Sequence, residues 1–195
     1  MTFVVVYDAN VLYGNTVRDL LIRLAMTGRV QARWTNRILD EMQRNLAANR
    51  PDIPAEKLGR LRCLMNSAVR DCLVEGYEPL IEGLKLPDAD DRHVLAAAIK
   101  VGAGVIVTSN LKDFPADYLA PWDIEVKSPD DFVLDQIDLD GRVVWACVQQ
   151  IADSRTSRRR PLMTCSTLWR RRASSKRSLL FEPAEVLPGW FCSAK

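Results

Sequence analysis

The stretch Pro87–Phe114, PDADDRHVLAAAIKVGAGVIVTSNLKDF, leaves few folds open, because an acidic cluster, a helix, a glycine turn, a buried strand and another acid follow without a gap. Val94, Leu95, Ala98 and Val101 recur at helical spacing, which predicts a helix from the acids after Pro87 to about Val101. Asp88, Asp90 and Asp91 suit a first turn, where the helix dipole favours negative charge. Asp91 precedes Leu95 by four residues and so projects from the face that carries core side chains. An ionised acid aimed at a core needs a partner. Gly102 and Gly104 stop the helix and turn the chain. Val105, Ile106 and Val107 then form a short β-branched run, as expected of a strand covered on both faces. Thr108, Ser109 and Asn110 sit at its C-terminal end, where open α/β sheets bind ligands, and Asp113 follows. Each acid alone has an ordinary reading, as a helix cap or a solvated loop residue.

The rest of the chain supplies matching parts. Phe3 to Tyr7 is an apolar, β-favouring run that reads as a central strand, and it ends in Asp8, Ala9 and Asn10. Asp8 there is either an Asx turn or cap, or a second site-like strand end. Asn15 or Thr16 can cap a helix with Leu20, Leu21, Leu24 and Ala25 on one face, ending near Gly28. A short strand is expected within residues 29 to 34. Thr35 is a candidate cap for TNRILDEMQRNLAA, whose buried stripe is Ile38, Leu39, Met42 and Leu46, with Glu41 bordering it. Residues 55 to about 75 read as one long helix, and residues 124 to 126 as a last strand. Ser128 and Pro129 open a further helix. Strands alternating with helices predict an α/β fold with a central parallel sheet covered on both faces.

Composition bounds the class. The 195 residues are 48% apolar, enough for one sizeable domain with an appendage. No membrane-length apolar run and no secretory signal is visible, which points to a cytoplasmic protein. Five cysteines, odd in number and without a CxxC, indicate neither a disulfide framework nor a zinc site. The net charge of +2 hides an asymmetry: residues 1–141 carry 16 basic and 22 acidic groups, and residues 142–195 carry 11 and 3.

VVVYDANVLY, ILDEMQRNL and DADDRHVLAAAIKVGAGVIVTSNLKDF, in that order, resemble the PIN-domain family of metal-dependent ribonucleases over roughly residues 3 to 135. Four separated acids carry the likeness: Asp8 ending the first strand, Glu41 on an early helix, Asp91 (with Asp90 as neighbour or substitute) before the last core strand, and Asp113 after it. The resemblance implies a PIN-like, Rossmann-like three-layer α/β/α fold and a divalent metal, Mg²⁺ or Mn²⁺. It also implies kinship with VapC toxins, which cleave RNA and are held inactive by an antitoxin, and a homodimer is an assembly it allows. Packed carboxylates repel unless a hard cation with oxygen ligands neutralises them. The expected chemistry is in-line hydrolysis of an RNA phosphodiester by an activated water. Asp8, Asp91 and Asp113 are the expected ligands with Asp90 beside them, Glu41 handles the water, and Asn10, Ser109 or Asn110 orient water or phosphate. His93 lies roughly 160° to 200° around the helix from Asp91 and reads as surface or packing.

Rival readings are a haloacid-dehalogenase-like phosphatase, a non-cleaving PIN-like binding module, and a PIN nuclease outside any toxin system. The first requires a second Asp where Asn10 stands, and a Thr or Ser strand end ahead of the acidic pair. From Arg142 a basic C-terminal extension is expected. It reads either as a disordered or RNA-binding arm, or as coding text out of frame from near Ser157. In the second case a one-nucleotide shift would turn residues 159 to 169 into a capped amphipathic helix.

Overall fold

The computed structural model describes residues 3–159. The chain divides into two compact units, Met1–Arg155 and Thr156–Lys195, and the sheet belongs to the first. The elements, in order, are β1 (Phe3–Tyr7), α1 (Ala9–Tyr13), α2 (Asn15–Met26), β2 (Val30–Arg33), α3 (Asn36–Asn49), α4 (Ala55–Ala68), α5 (Glu78–Ile81), α6 (Arg92–Val101), β3 (Val105–Val107), α7 (Ala116–Leu119), β4 (Glu125–Lys127) and α8 (Pro129–Arg159), with 3₁₀ turns at Leu111–Asp113 and Ala120–Trp122. The four strands make one parallel sheet in the order β2-β1-β3-β4, flanked by helices.

Val5, Val6 and Tyr7 are wholly buried, as are Ile106 and Val107, so the two central strands are covered on both faces. Tyr7 stacks on Trp34 at 6.4 Å and meets Phe132 edge-on at 6.1 Å. Burial drives its phenol pKa upward. In α6 every residue from His93 to Ala98 is buried, and the small side chains of Ala96, Ala97 and Ala98 let the helix lie close to β1 and β3. Gly102 ends it at φ 61°, a left-handed turn that a β-carbon would strain. Thr35 caps α3, its hydroxyl accepting the Ile38 N–H at 3.0 Å, and Ser128 caps α8 through the Asp131 N–H at 3.1 Å. No helix among the described residues is long and apolar enough to cross a membrane, and Cys63, Cys72 and Cys147 are free.

Three expectations are corrected. The helix expected to reach residue 75 ends at Ala68. Beyond it the chain turns through Asp71 at φ 54° and extends alongside Trp34, whose N–H donates to the Cys72 carbonyl and whose carbonyl accepts the Val74 N–H, both at 2.9 Å. Buried Cys72 and Val74 flanking exposed Leu73 are a period-2 signal that a helical reading overrides. Secondly, α6 begins at Arg92, after the acids rather than among them.

The third concerns the position where the composition changes. The first unit runs past residue 142 to Arg155, because Val144, Cys147 and Ile151 recur at helical spacing and are buried. Val144 and Cys147 pack with Leu24. Helix α8 is kinked at Asp140 (φ −165°, ψ 86°), whose carboxylate accepts the Arg142 N–H at 3.1 Å and pairs with Arg29 at 2.5 Å. Both readings of the tail beyond residue 159 lie outside the described residues.

Candidate active site

The chain leaves β1 for β2 on one side and reaches β3 on the other, so the gap between the C-terminal ends of β1 and β3 is the switch point of the sheet. Parallel sheets place ligands there, because the connections diverge and leave a crevice. The Asp8 N–H donates to the Val107 carbonyl at 3.1 Å, which sets Asp8 beside Thr108 at the crevice floor. Asp8 is 4% exposed. Its Oδ1 accepts the Ala9 N–H at 2.6 Å, capping α1, while Oδ2 accepts from the Thr108 hydroxyl at 2.7 Å and from Asn10 Nδ2 at 2.6 Å. The ordinary role as a cap and the site-like role thus coexist in one side chain. Burial pushes its pKa up, and the Thr108 and Ala9 donors pull against that.

Asp91 differs in that it makes no capping hydrogen bond, although it occupies the position just ahead of α6 where a cap would stand. Its carboxyl is half-buried, and its pKa is pushed up to about 7 by desolvation and then by the negative charges of Asp8, Asp88, Asp113 and Glu41. Acids from β1, α3, the loop before α6 and the turn after β3 therefore act on one space. Asp113 is held by Asn110, whose side-chain amide donates to it. Glu41 projects from α3 with its side chain 35% exposed, and its Oε2 lies 3.5 Å from His93 Nε2. His93 first, then Arg44 and Arg37, hold the Glu41 pKa below the usual carboxylate range against the cost of its burial.

Other residues take positions the sequence did not assign. Asp90 turns outward, 95% exposed at its side chain and 4.0 Å from Arg37. Asp88 is among the charges that raise the Asp91 pKa, and also accepts the Asp90 N–H at 2.8 Å. Asn10 is engaged at both ends: Nδ2 donates to Asp8 and to the Thr108 hydroxyl, and Oδ1 accepts the Ser109 N–H at 2.9 Å. It ties the end of β3 to Asp8. Ser109 contributes only that backbone donor, and Asn110 is turned to Asp113. Thr108, named only as part of a strand end, is the side chain that fixes Asp8. His93, read as surface or packing, is 2% exposed and faces Glu41.

The donor set is hard oxygen, suited to Mg²⁺ or Mn²⁺. No group of three or more His, Cys, Asp or Glu side chains among the described residues is placed to hold a metal ion. Burial first, and then the neighbouring negative charges, raise the Asp91 pKa, and a divalent cation would relieve the second of these.

Comparison with known proteins bears on the family. The PIN domain profile matches residues 4–112, and a profile described as the VapC50 C-terminal domain matches residues 129–174. A Mycobacterium tuberculosis protein named "Putative ribonuclease VapC50" is 47% identical over 79 residues, which cover 40% of this chain and 46% of that protein. The chain thus spans about half the length of that relative. No solved structure matches.

Proposed function

The chain belongs to the PIN-domain family, and from that premise we propose that it is a divalent-metal-dependent endoribonuclease of the VapC toxin type, neutralised by an antitoxin. One observation carries the reading: the PIN-domain match over residues 4–112 spans Asp8, Glu41 and Asp91, and Asp91 stands at the head of α6 unused as a cap. Asp8, Asp91 and Asp113 would hold the cation, with Asp88 in the same field. When bound, it polarises the phosphodiester and acidifies a water.

The chain's own residues do the remainder. Thr108 and Asn10 clamp Asp8 Oδ2, so the acid at the crevice floor cannot rotate away. Asn110 does the same for Asp113. Glu41, whose pKa His93 and the neighbouring arginines hold below the usual carboxylate range, orients the attacking water and accepts its proton. Arg37 and Arg44 supply positive charge on the α3 side, where the RNA backbone would pass. The similarity to the VapC50 protein supports ribonuclease rather than phosphatase chemistry.

The test is cleavage of a panel of RNAs with Mg²⁺ or Mn²⁺, wild type beside Asp8→Asn. We expect metal-dependent cuts that EDTA abolishes and that Asp8→Asn reduces at least about a hundredfold, as removal of one preorganised charge at a reacting centre does. Binding without cutting would assign a non-cleaving module. Growth arrest on expression, relieved by the product of a neighbouring gene, tests the toxin assignment, and harmless expression of a cleaving protein would place it outside such a system.

A further inference from the structure

We propose that His93 is a positioning residue for Glu41, its buried Nε2–H facing the carboxylate across 3.5 Å and fixing where that acid stands during RNA cleavage. The role in cleavage rests on the nuclease reading. The contact between the two residues does not.

Packing alone does not account for an imidazole at this position. His93 is 2% exposed, and its Nδ1 is buried with no hydrogen-bond partner. An apolar side chain of similar size would fill the space without leaving a nitrogen unpaired, which is unfavourable in a core. What the imidazole adds is Nε2, and Nε2 faces Glu41. Because a carboxylate only accepts, Nε2 must carry a proton to meet it. Glu41 is a long, partly exposed side chain with several rotamers, so a fixed donor restricts it. The neighbouring arginines reach it through charge and impose little direction. At 3.5 Å the pair is looser than a well-formed hydrogen bond.

The geometry also sets the range of the effect. His93 lies two residues beyond Asp91 in α6, where every residue from His93 to Ala98 is buried, while Glu41 lies on α3. The contact therefore ties an acid of one helix to the start of another, so that Glu41 and Asp91 keep their separation. The loss should fall on the chemical step and spare RNA affinity.

His93 is the chain's one histidine, so its ring nitrogens give a single set of NMR signals in ¹⁵N-labelled, metal-free protein. We expect a proton on Nε2 and both nitrogen shifts moved by Glu41→Gln. An Nε2 without a proton, or signals indifferent to Glu41→Gln, would overturn the proposal. In cleavage assays His93→Leu should lower kcat about tenfold to a hundredfold with KM within about twofold, and His93→Gln, which keeps a donor at the same reach, should restore kcat to within about threefold. His93→Leu with kcat unchanged, or His93→Gln as impaired as His93→Leu, would overturn it equally. Should His93→Leu fail to fold, the NMR comparison decides. A wild-type chain that cuts no RNA would sink the nuclease reading, and the ring signals would still report whether His93 and Glu41 are coupled.

Discussion

Asp91 heads α6 with no capping bond, and its raised pKa has a consequence for stability. Below about pH 4 its carboxyl is protonated in both the folded and the unfolded chain and costs nothing. As pH rises from the ordinary value of 3.8 to about 7, the unfolded chain releases the proton while the folded chain keeps it, so this group's contribution falls. Above that the penalty is complete. The metal-free protein should therefore melt at a lower temperature than Asp91→Asn by a margin that grows between about pH 4 and 7, and Mg²⁺ or Mn²⁺ should close the gap by binding only the folded state. A margin independent of pH would refute this. Asp8, Glu41, Asp91 and Asp113 are the candidates that the sequence offers, through the elements they end, precede or line. Thr108 is not among them, because its role depends on the β1–β3 pairing, which brings residues 100 positions apart to 2.7 Å. Nor is His93: counting around its own helix showed that it points away from Asp91, and could not show that another helix brings Glu41 to meet it.

At the scale of elements, the caps carried the most information. Thr35 is wholly buried and its hydroxyl accepts the Ile38 N–H, so it sets where α3 begins and, six residues on, where Glu41 emerges. Thr35→Ala should cost about 1 kcal/mol and lower the melting temperature by roughly 2–4 °C. It should also reduce kcat, since the start of α3 fixes where Glu41 stands. Thr35→Ser should preserve both, and a Thr35→Ala protein as stable as wild type would show that packing on Ile38, Leu39 and Met42 alone positions the helix. Where sequence reading failed, no cap marked the boundary. Nothing after Ala68 announces that α4 has stopped, and only the alternate burial of Cys72 and Val74 beside Trp34 reveals the extended segment. Past the kink in α8, Val144, Cys147 and Ile151 have a helical period, but the arginines beyond them dominate the composition and draw attention away from it.

Across the whole molecule the governing quantity is charge. The acids gather in residues 1–141, whereas residues 142–195 hold 11 basic groups against 3 acidic ones. On the nuclease reading, a cleft lined with carboxylates would repel RNA even with a cation in it, and cations elsewhere on the chain would supply the long-range attraction. Arg170, Arg171 and Arg172 form one dense group of them. They lie beyond the described residues but within the segment, 129–174, that resembles a VapC50 C-terminal domain. That segment also spans Ser157, where an out-of-frame reading would begin. If the arm is authentic and meets RNA, replacing these three arginines by alanine in the full chain should weaken binding at low salt. It should also flatten the dependence of log K on log salt by about 2, since each phosphate contact on a single strand contributes about 0.7. The rate at saturating RNA should be unchanged, because the arm holds none of the site's acids. An unaltered slope would deny the arm any RNA contact and turn attention to the coding DNA. A long open frame, one nucleotide out of register and continuing as a capped amphipathic helix from near Ser157, would then identify the basic arm as mistranslated text. Absence of such a frame would discard that reading.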